Sequence, residues 1–360
     1  MRVGLIIYGS LNTISGGYLY DRMLVEHLRR QSDQVEIIAL PWRDYGRHVG
    51  DNFSRTLHRR LRQASLDVLL QDELNHPSLF WLNRRLKGLI HYPLVAIVHH
   101  LRCSEARPAW QNWLYWWVEQ RYLATLDGFI FNSQATCAAV GRLIGPRRAA
   151  VIAPPGGDRL CPALTPAQIM GRAQQPGPLR VIFVGNLIPR KELHTLMIAL
   201  ARLPGESWQL EVVGSLTVDP IYVQALRRQI AQAGLTAQVT LSGSLADADL
   251  AACLARSHLL AVPSSYEGFG IVYLEGMGFG LPAIASTAGG AGEIITHGRD
   301  GFLITTGDSI ALAQHIHELH LNRAHLLQMS LAAYRRYTTH PTWAESTECI
   351  RKFLQTLVGE

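Results

Sequence analysis

Cysteine is scarce in this 360-residue chain. The five present (Cys103, Cys137, Cys161, Cys253 and Cys349) are scattered, with no C-x-x-C pair. An odd, dispersed set excludes a disulfide framework and a cysteine-built zinc site, and it fits a reducing compartment. Long apolar runs are missing as well. No stretch reaches the ~18 residues that a membrane span needs, and the opening "MRVGLIIYGS" halts at glycine after about six, too short for a signal peptide. The expectation is a cytoplasmic protein whose first apolar run is a strand. Charge is sparse, 17% beside 48% hydrophobic residues, which excludes a disordered chain. At this length one core does not suffice, so two domains are expected.

What charge there is lies unevenly. Residues 1–155 hold 19 Lys+Arg against 12 Asp+Glu, a net +7, while residues 156–360 hold 15 against 16, a net −1. Much of the excess sits in "RTLHRRLRQ" (55–63) and "NRRLKG" (83–88). Single clusters of this kind are solvated helix faces. The asymmetry as a whole suits an acidic substrate, or peripheral contact of the first half with an anionic inner-membrane face. No strand interleaves aromatic with basic residues, so nucleic acid is not an expected partner. In "RPAWQNWLYWWVEQRYL" (107–123) Trp110, Trp113, Trp116 and Trp117 recur at helical spacing. Most such stripes are core, which is the expectation here, with a membrane-interface face as the other reading.

Short aliphatic runs alternate with helical patterns along most of the chain. Six in the first half (3–9, 35–40, 67–71, 94–100, 128–133, 149–154) and six in the second (179–185, 208–214, 237–243, 258–264, 282–286, 301–304) read as strands of two parallel sheets. Between them, residues 153–180 are dense in Pro and Gly and read as a linker. The expected fold is α/β, two doubly wound Rossmann-like domains, with ligands beyond the carboxyl ends of the strands and in the cleft where the two halves face.

The strand ends therefore carry the chemistry. "PSSYEGFGIVYLEGMGFG" (263–280) puts Glu267 in a loop and Glu275 about one and a half turns inside the helix that follows. Gly268, Phe269 and Gly270 lie between them, at the positive end of that helix, where backbone N–H groups suit phosphate. Carboxylates beside a phosphate seat fit hydroxyl groups, and a nucleotide-sugar offers both. In "VGNLIPRKELHTL" (184–196) Arg190 and Lys191 are expected at the start of a helix, where they oppose its dipole but suit a departing diphosphate. His99 and His100 end the fourth strand, and Gly16 and Gly17 stand where the first strand yields to the first helix, a candidate phosphate or acceptor loop. No third ligand is spaced for a metal, and "DAD" (247–249) is a helix N-terminus rather than a metal motif.

These blocks resemble the retaining glycosyltransferases of family 4, which have the GT-B fold. "EGFGIVYLE" (267–275) is similar to that family's E-x7-E motif, and residues 263–304 follow its donor-site block nearly throughout. "VGNLIPRK" is similar to its donor-phosphate segment, "FNSQAT" (131–136) to a recurrent N-domain stretch and "APPGGD" (153–158) to its interdomain crossing. Two departures stand out: Asn186 where members commonly have Arg, and Glu192 where they have Gly. The resemblance implies Glu267 on the donor sugar and Glu275 on the ribose. It implies Lys191, backed by Arg190, on the phosphates, and His99 near the transferring sugar with His100 as its rival. Gly16, Gly17, Gly185, Ser244, Gly268, Phe269, Gly270 and Ile271 would line the donor. It further implies a first, acceptor-side domain over 1–160, a donor domain over 161–340 and a final helix over 341–360 crossing back. The implied activity is retaining transfer of a hexosyl unit from a nucleoside-diphosphate sugar to a hydroxyl acceptor, a glycan or lipid, with no cofactor or obligatory metal. The alternative is a non-catalytic nucleotide-sugar-binding subunit.

Overall fold

The computed structural model describes residues 1–105, 107–145 and 148–359. The chain divides into two units, Met1–Pro155 with Trp343–Glu360, and Gly156–Thr342.

The first unit holds a six-stranded parallel sheet of order β2-β1-β3-β4-β5-β6. Its strands are β1 (Arg2–Tyr8), β2 (Gln34–Leu40), β3 (Val68–Asp72), β4 (Leu94–Val98), β5 (Gly128–Phe131) and β6 (Ala149–Ile152). β3, β4 and β5 are buried along their whole length, whereas the edge strands β2 and β6 are partly exposed. A strand covered on both faces must be apolar on both, which is why the central strands read as unbroken aliphatic runs.

The last helix, Trp343–Val358, packs in this same unit. Trp343 meets Tyr20 edge-on at 5.8 Å, Glu348 accepts from His27 at 3.0 Å, and Arg351 donates to Asp33 at 2.7 Å. Ser346 caps the open carbonyl of Pro154 at 2.5 Å.

The second unit has the order β12-β11-β10-β7-β8-β9, again all parallel. Its strands are β7 (Leu179–Val184), β8 (Trp208–Val213), β9 (Val239–Gly243), β10 (Leu259–Ala261), β11 (Ala283–Ser286) and β12 (Gly301–Ile304). In both sheets the chain winds outward one way and then the other. The reversal lies between β1 and β3 in the first unit and between β7 and β10 in the second, and there the loops part and leave a crevice.

Two expectations are corrected. The Pro- and Gly-rich stretch over 153–180 is not only a linker: Pro166–Ala173 is a helix whose Thr165 and Gln168 form a reciprocal capping box, with Ile169 and Arg172 buried. The first unit also ends at Pro155, short of residue 160. Gly157 belongs to the second unit because it lies hard against Leu274 and Tyr337, where an added Cβ would stand 2.6 Å and 3.1 Å from them.

Deleting residues 343–360 removes three buried apolar side chains, Trp343, Ile350 and Leu354. At roughly 1.5–3 kcal/mol each the loss rivals the whole stability of a small domain, about 5–15 kcal/mol. We expect calorimetry of the truncated chain to show the first unit's transition lost or sharply lowered and the second unit's kept. An unmoved first transition would refute the packing described.

Candidate functional site

The second unit's site grows from the ends of β7 and β10, the neighbours at its switch point. After β7 the chain passes Gly185 and Asn186 and makes a 3-10 turn over Pro189–Lys191; Glu192 then takes a left-handed conformation (φ +55°), and the α-helix begins only at Leu193. Arg190 and Lys191 thus stand in a turn before the helix, not in its first turn as expected. Pro189 opens the 3-10 turn and the left-handed Glu192 separates it from the helix. The Lys191 stem lies over Gly185, with Cε 3.4 Å from where a Cβ would be.

After β10, Ser264 and Glu267 come to meet it. Lys191 Nζ donates to Glu267 Oε1 at 2.5 Å, Ser264 Oγ to the same oxygen at 2.6 Å, and Arg190 Nη1 lies 3.7 Å from Oε2. Burial opposes ionisation of Glu267, yet the charges of Lys191 and Arg190 and the two hydrogen bonds outweigh it and hold the carboxyl down at about 2. Burial pulls Lys191 below the ordinary ammonium range, and the charge of Glu267 pulls it back up.

The backbone here is clamped. A Cβ on Gly289 would stand 1.9 Å from the Glu267 carbonyl oxygen, and one on Gly290 2.3 Å from that of Gly268. Gly270 (φ +95°) turns the chain into the helix Ile271–Gly278. Phe269 is buried, with its ring 5.9 Å from that of His340, while Ile271 is half-buried and Ser244, just past β9, is exposed.

Glu275 lies inside that helix and has its own cation. Arg159 Nε donates to its Oε1 at 2.8 Å, and Nη1 of the same arginine pairs with Asp247. Burial raises the Glu275 carboxyl, Arg159 lowers it and Asp247 raises it again, with a net upward shift. Asp247 and Asp249 open a helix, as expected of "DAD".

In the first unit the crevice beside β1, β3 and β4 gathers a second set. Gly16 and Gly17 begin the helix Gly16–Arg30, capped by Ser15, and a Cβ on Gly17 would lie 3.0 Å from His99 Cδ2. His99 Nε2 lies 3.2 Å from Asp21 Oδ1. Burial disfavours charge on His99, but the hydrogen bond and charge of Asp21, then those of Asp72 and Glu73, raise it above the usual imidazole range. His100 points elsewhere and pairs with Glu105 at 2.9 Å.

Sequence reading missed Asp21, Asp72, Glu73, His76 and Glu119, all buried. Among the described residues, Asp21, Asp72 and His99 form one group, and Glu73, His76 and Glu119 another, with ligand-type atoms within 4.8 Å of one another. Either is close enough to hold a cation. In the second, both nitrogens of His76 already have partners, Tyr45 Oη at 3.0 Å and the Glu73 carbonyl oxygen at 2.9 Å. Glu73 and Glu119 share one buried cluster, and burial raises both carboxyls to about 7. Two carboxyls this close and this buried disfavour each other's ionisation, which favours retention of a proton. Glu119 also accepts the backbone N–H groups of Arg102 (2.6 Å) and Cys103 (3.2 Å), which fixes the loop after His99 and His100.

Comparison with known proteins places both units. Residues 20–158 match the family described as Glycosyltransferase Family 4, and residues 169–336 match Glycosyl transferases group 1. The chain is 33% identical over 195 residues to D-inositol 3-phosphate glycosyltransferase of Rhodococcus erythropolis, covering 52% of this chain and 44% of that protein. It is 29% identical over 244 residues to the GDP-mannose-dependent alpha-(1-6)-phosphatidylinositol monomannoside mannosyltransferase of Mycobacterium tuberculosis, covering 64% and 62%. The chain therefore spans between 44% and 62% of the length of these two relatives. Among solved structures, sucrose-phosphate synthase from Thermosynechococcus elongatus superposes with a TM-score of 0.85 at 21% identity, over 99% of both chains. Anabaena HepE in complex with UDP and glucose gives 0.80 at 22%, over 99% of this chain and 100% of that one. The fold is GT-B, built from two Rossmann-like domains.

Lys191→Met strands the Glu267 carboxylate, and breaking one side of a buried pair costs about 3–5 kcal/mol. We expect Lys191→Met combined with Glu267→Gln to recover more than half of that loss; additive losses in denaturant melts would refute the coupling. The Glu73–Glu119 pair sets a pH dependence. A carboxyl raised from 4.5 to about 7 on folding adds stability that is full below 4.5 and lost as pH rises through about 7. Across that window the first unit's melting temperature is expected to fall, and Glu73→Gln to flatten the slope. An identical slope in the variant would exclude the pair as its source.

Proposed function

We propose that this family-4-like glycosyltransferase moves a hexosyl unit from a nucleoside-diphosphate sugar to a hydroxyl acceptor with retention of anomeric configuration. The acceptor reading is a cell-envelope glycan or lipid-linked sugar. The observation that carries the proposal is the Lys191–Glu267–Arg190 cluster at the switch point of the second sheet, beside the Gly268–Gly270 turn into a helix. It sets cations, a glycine turn at a positive helix end and an ionised carboxylate side by side, which is what a diphosphate bonded to a polyol requires.

In this reading Lys191 and Arg190 take the diphosphate, Glu267 accepts from sugar hydroxyls, and Glu275 accepts from the ribose through the oxygen that Arg159 leaves open. His99, held by Asp21, hydrogen-bonds the transferring sugar. The acceptor oxygen forms a bond to the anomeric carbon as the bond from that carbon to the phosphate oxygen breaks. The acceptor's proton passes to the departing phosphate on the same face. Two cations beside the leaving group supply the charge stabilisation for which other transferases recruit a divalent ion, so turnover is expected without metal. The relatives named above act on inositol phosphate or phosphatidylinositol mannoside acceptors. That agrees with a polar hydroxyl acceptor and leaves sugar and base to experiment.

The test is a melt of the purified chain with UDP, GDP and ADP in chelator, followed by donor turnover. A nucleotide at a hundredfold over its dissociation constant adds about 2.7 kcal/mol. One of the three is expected to stabilise. Glu275→Ala should weaken that effect, and Lys191→Ala should lower kcat more than it raises KM. Stabilisation without any donor hydrolysis or transfer would favour the non-catalytic binding subunit, and no stabilisation by any nucleotide would overturn the donor site.

A further inference from the structure

The first unit carries an aromatic surface that the transfer reaction does not use. In the helix Ala109–Leu123, Trp110 and Trp113 are 67% and 63% exposed, so this part of the tryptophan stripe is not core. Their face of the helix continues to Trp117, seven and four residues on. From Trp117 the aromatic rings run on through Phe80 (6.3 Å) and Trp81 (6.5 Å further) to Phe53 (6.4 Å further). Phe53 is 63% exposed and Trp81 49%. The arrangement is held rigidly from below: buried Asn52 accepts the backbone N–H groups of Trp81 and Leu82 at 2.8 Å and 3.0 Å and donates to Pro77 O at 2.7 Å.

The three segments that carry these rings have charge of one sign. Residues 53–63, 81–89 and 107–118 contain eight Lys/Arg and no Asp or Glu. Arg60 and Arg107 are paired, with Glu36 and Glu105; Arg55, Arg59, Arg62, Arg84, Arg85 and Lys87 are exposed. Arg85 reaches Asn52 O at 3.0 Å, which sets its guanidinium beside the Phe53 segment.

We propose that this face docks on an anionic lipid bilayer. Exposed indoles seek the headgroup level, where ring and N–H are both satisfied, and each neighbouring cation adds about 1 kcal/mol near an anionic surface. The charge pattern argues against a second copy of this chain as the occupant. A two-fold contact would set Arg55, Arg59, Arg62, Arg84, Arg85 and Lys87 against their own copies, like charge on like charge. The proposal does not depend on which sugar or acceptor the chain uses, nor on whether it is a transferase. It gives the face a role in holding the chain where lipid-linked hydroxyls are concentrated.

Co-sedimentation of the full chain with phosphatidylcholine vesicles, with and without phosphatidylglycerol, tests it. Binding is expected only when phosphatidylglycerol is present, and should weaken with salt. Arg84→Gln with Arg85→Gln should reduce it by about fivefold per cation, and Trp110→Ser with Trp113→Ser by at least roughly tenfold. Brominated lipid should quench the wild-type tryptophan fluorescence, a readout that needs no variant. Far-UV spectra and nucleotide melts of the variants should match wild type, so loss of vesicle binding and loss of the donor site would be told apart. Absence of binding to anionic vesicles overturns the proposal, as does binding that the tryptophan pair does not alter. Concentration-dependent association or retention by an acidic protein surface, abolished by Trp110→Ser with Trp113→Ser while vesicles go unbound, would make the face a protein interface and overturn it too.

Discussion

A buried carboxylate must be neutralised, and in this protein that requirement at Glu267 shapes everything around it. The residue sits at the one place in the second sheet where neighbouring strands send their connections to opposite sides. Ionised there, it draws Lys191 and Ser264 onto one oxygen and keeps Arg190 within reach of the other. Arg190 is itself woven into the loop, donating to Tyr266 O and accepting from Ser265 N. The loops after β7 and β10 are therefore one structure, and the cations are already in place before any anion arrives. Such preorganisation is what makes fixed charge effective, since nothing has to reorganise when charge develops.

The same requirement is met in another way in the first unit. Asp21, Asp72, Glu73 and Glu119 are all buried near His99 and His76. There are too few cations to pair every carboxylate, so protons make up the difference. Asp72 is pushed far above the carboxylate range, by burial first and then by the charge of Asp21. Burial raises the carboxyls of Glu73 and Glu119 to about 7 as well. Where the second unit presents fixed positive charge to a crevice, the first presents hydrogen-bonding groups whose protonation can adjust. That contrast suits the first to an uncharged hydroxyl-bearing partner and the second to a phosphate.

Much of this was legible in the sequence, for local reasons. The central strands announced themselves because strands buried on both faces must be aliphatic throughout, and Glu267, Lys191 and His99 were singled out by asking what stands at strand ends. The helix Pro166–Ala173 was missed although "TPAQ" spells its capping box; the surrounding Pro and Gly masked a signal four residues long. The buried carboxyls of the first unit had no such signal, because Asp21, Asp72 and Glu119 come from three elements that only the fold assembles. Exposure of the tryptophans was equally hidden, since helical spacing says which side chains share a face and not what covers it. Glu192 shows how a departure from a pattern can be a backbone fact. The position takes a left-handed conformation (φ +55°), which favours glycine, and here a glutamate adopts it while accepting from Thr195 Oγ1 at 2.5 Å.

The two carboxylates of "EGFGIVYLE" are shifted in opposite directions, and the difference is in the company each keeps. Glu267 faces two cations and a hydroxyl, and stays ionised down to about pH 2. Glu275 is just as deeply buried but shares its single cation, Arg159, with Asp247, so its carboxyl is pushed upward instead. One helix therefore delivers a permanent negative charge at its mouth and, five residues in, a carboxyl closer to neutrality. Like-charged groups separated in this way can take different tasks within one ligand. In the proposed reading Glu267 keeps its charge beside the transferring sugar and accepts from its hydroxyls. Glu275, shifted upward yet paired with Arg159, takes hydroxyls that do not react. Arg159 decides that division, since without it burial and Asp247 would both drive Glu275 to the protonated form.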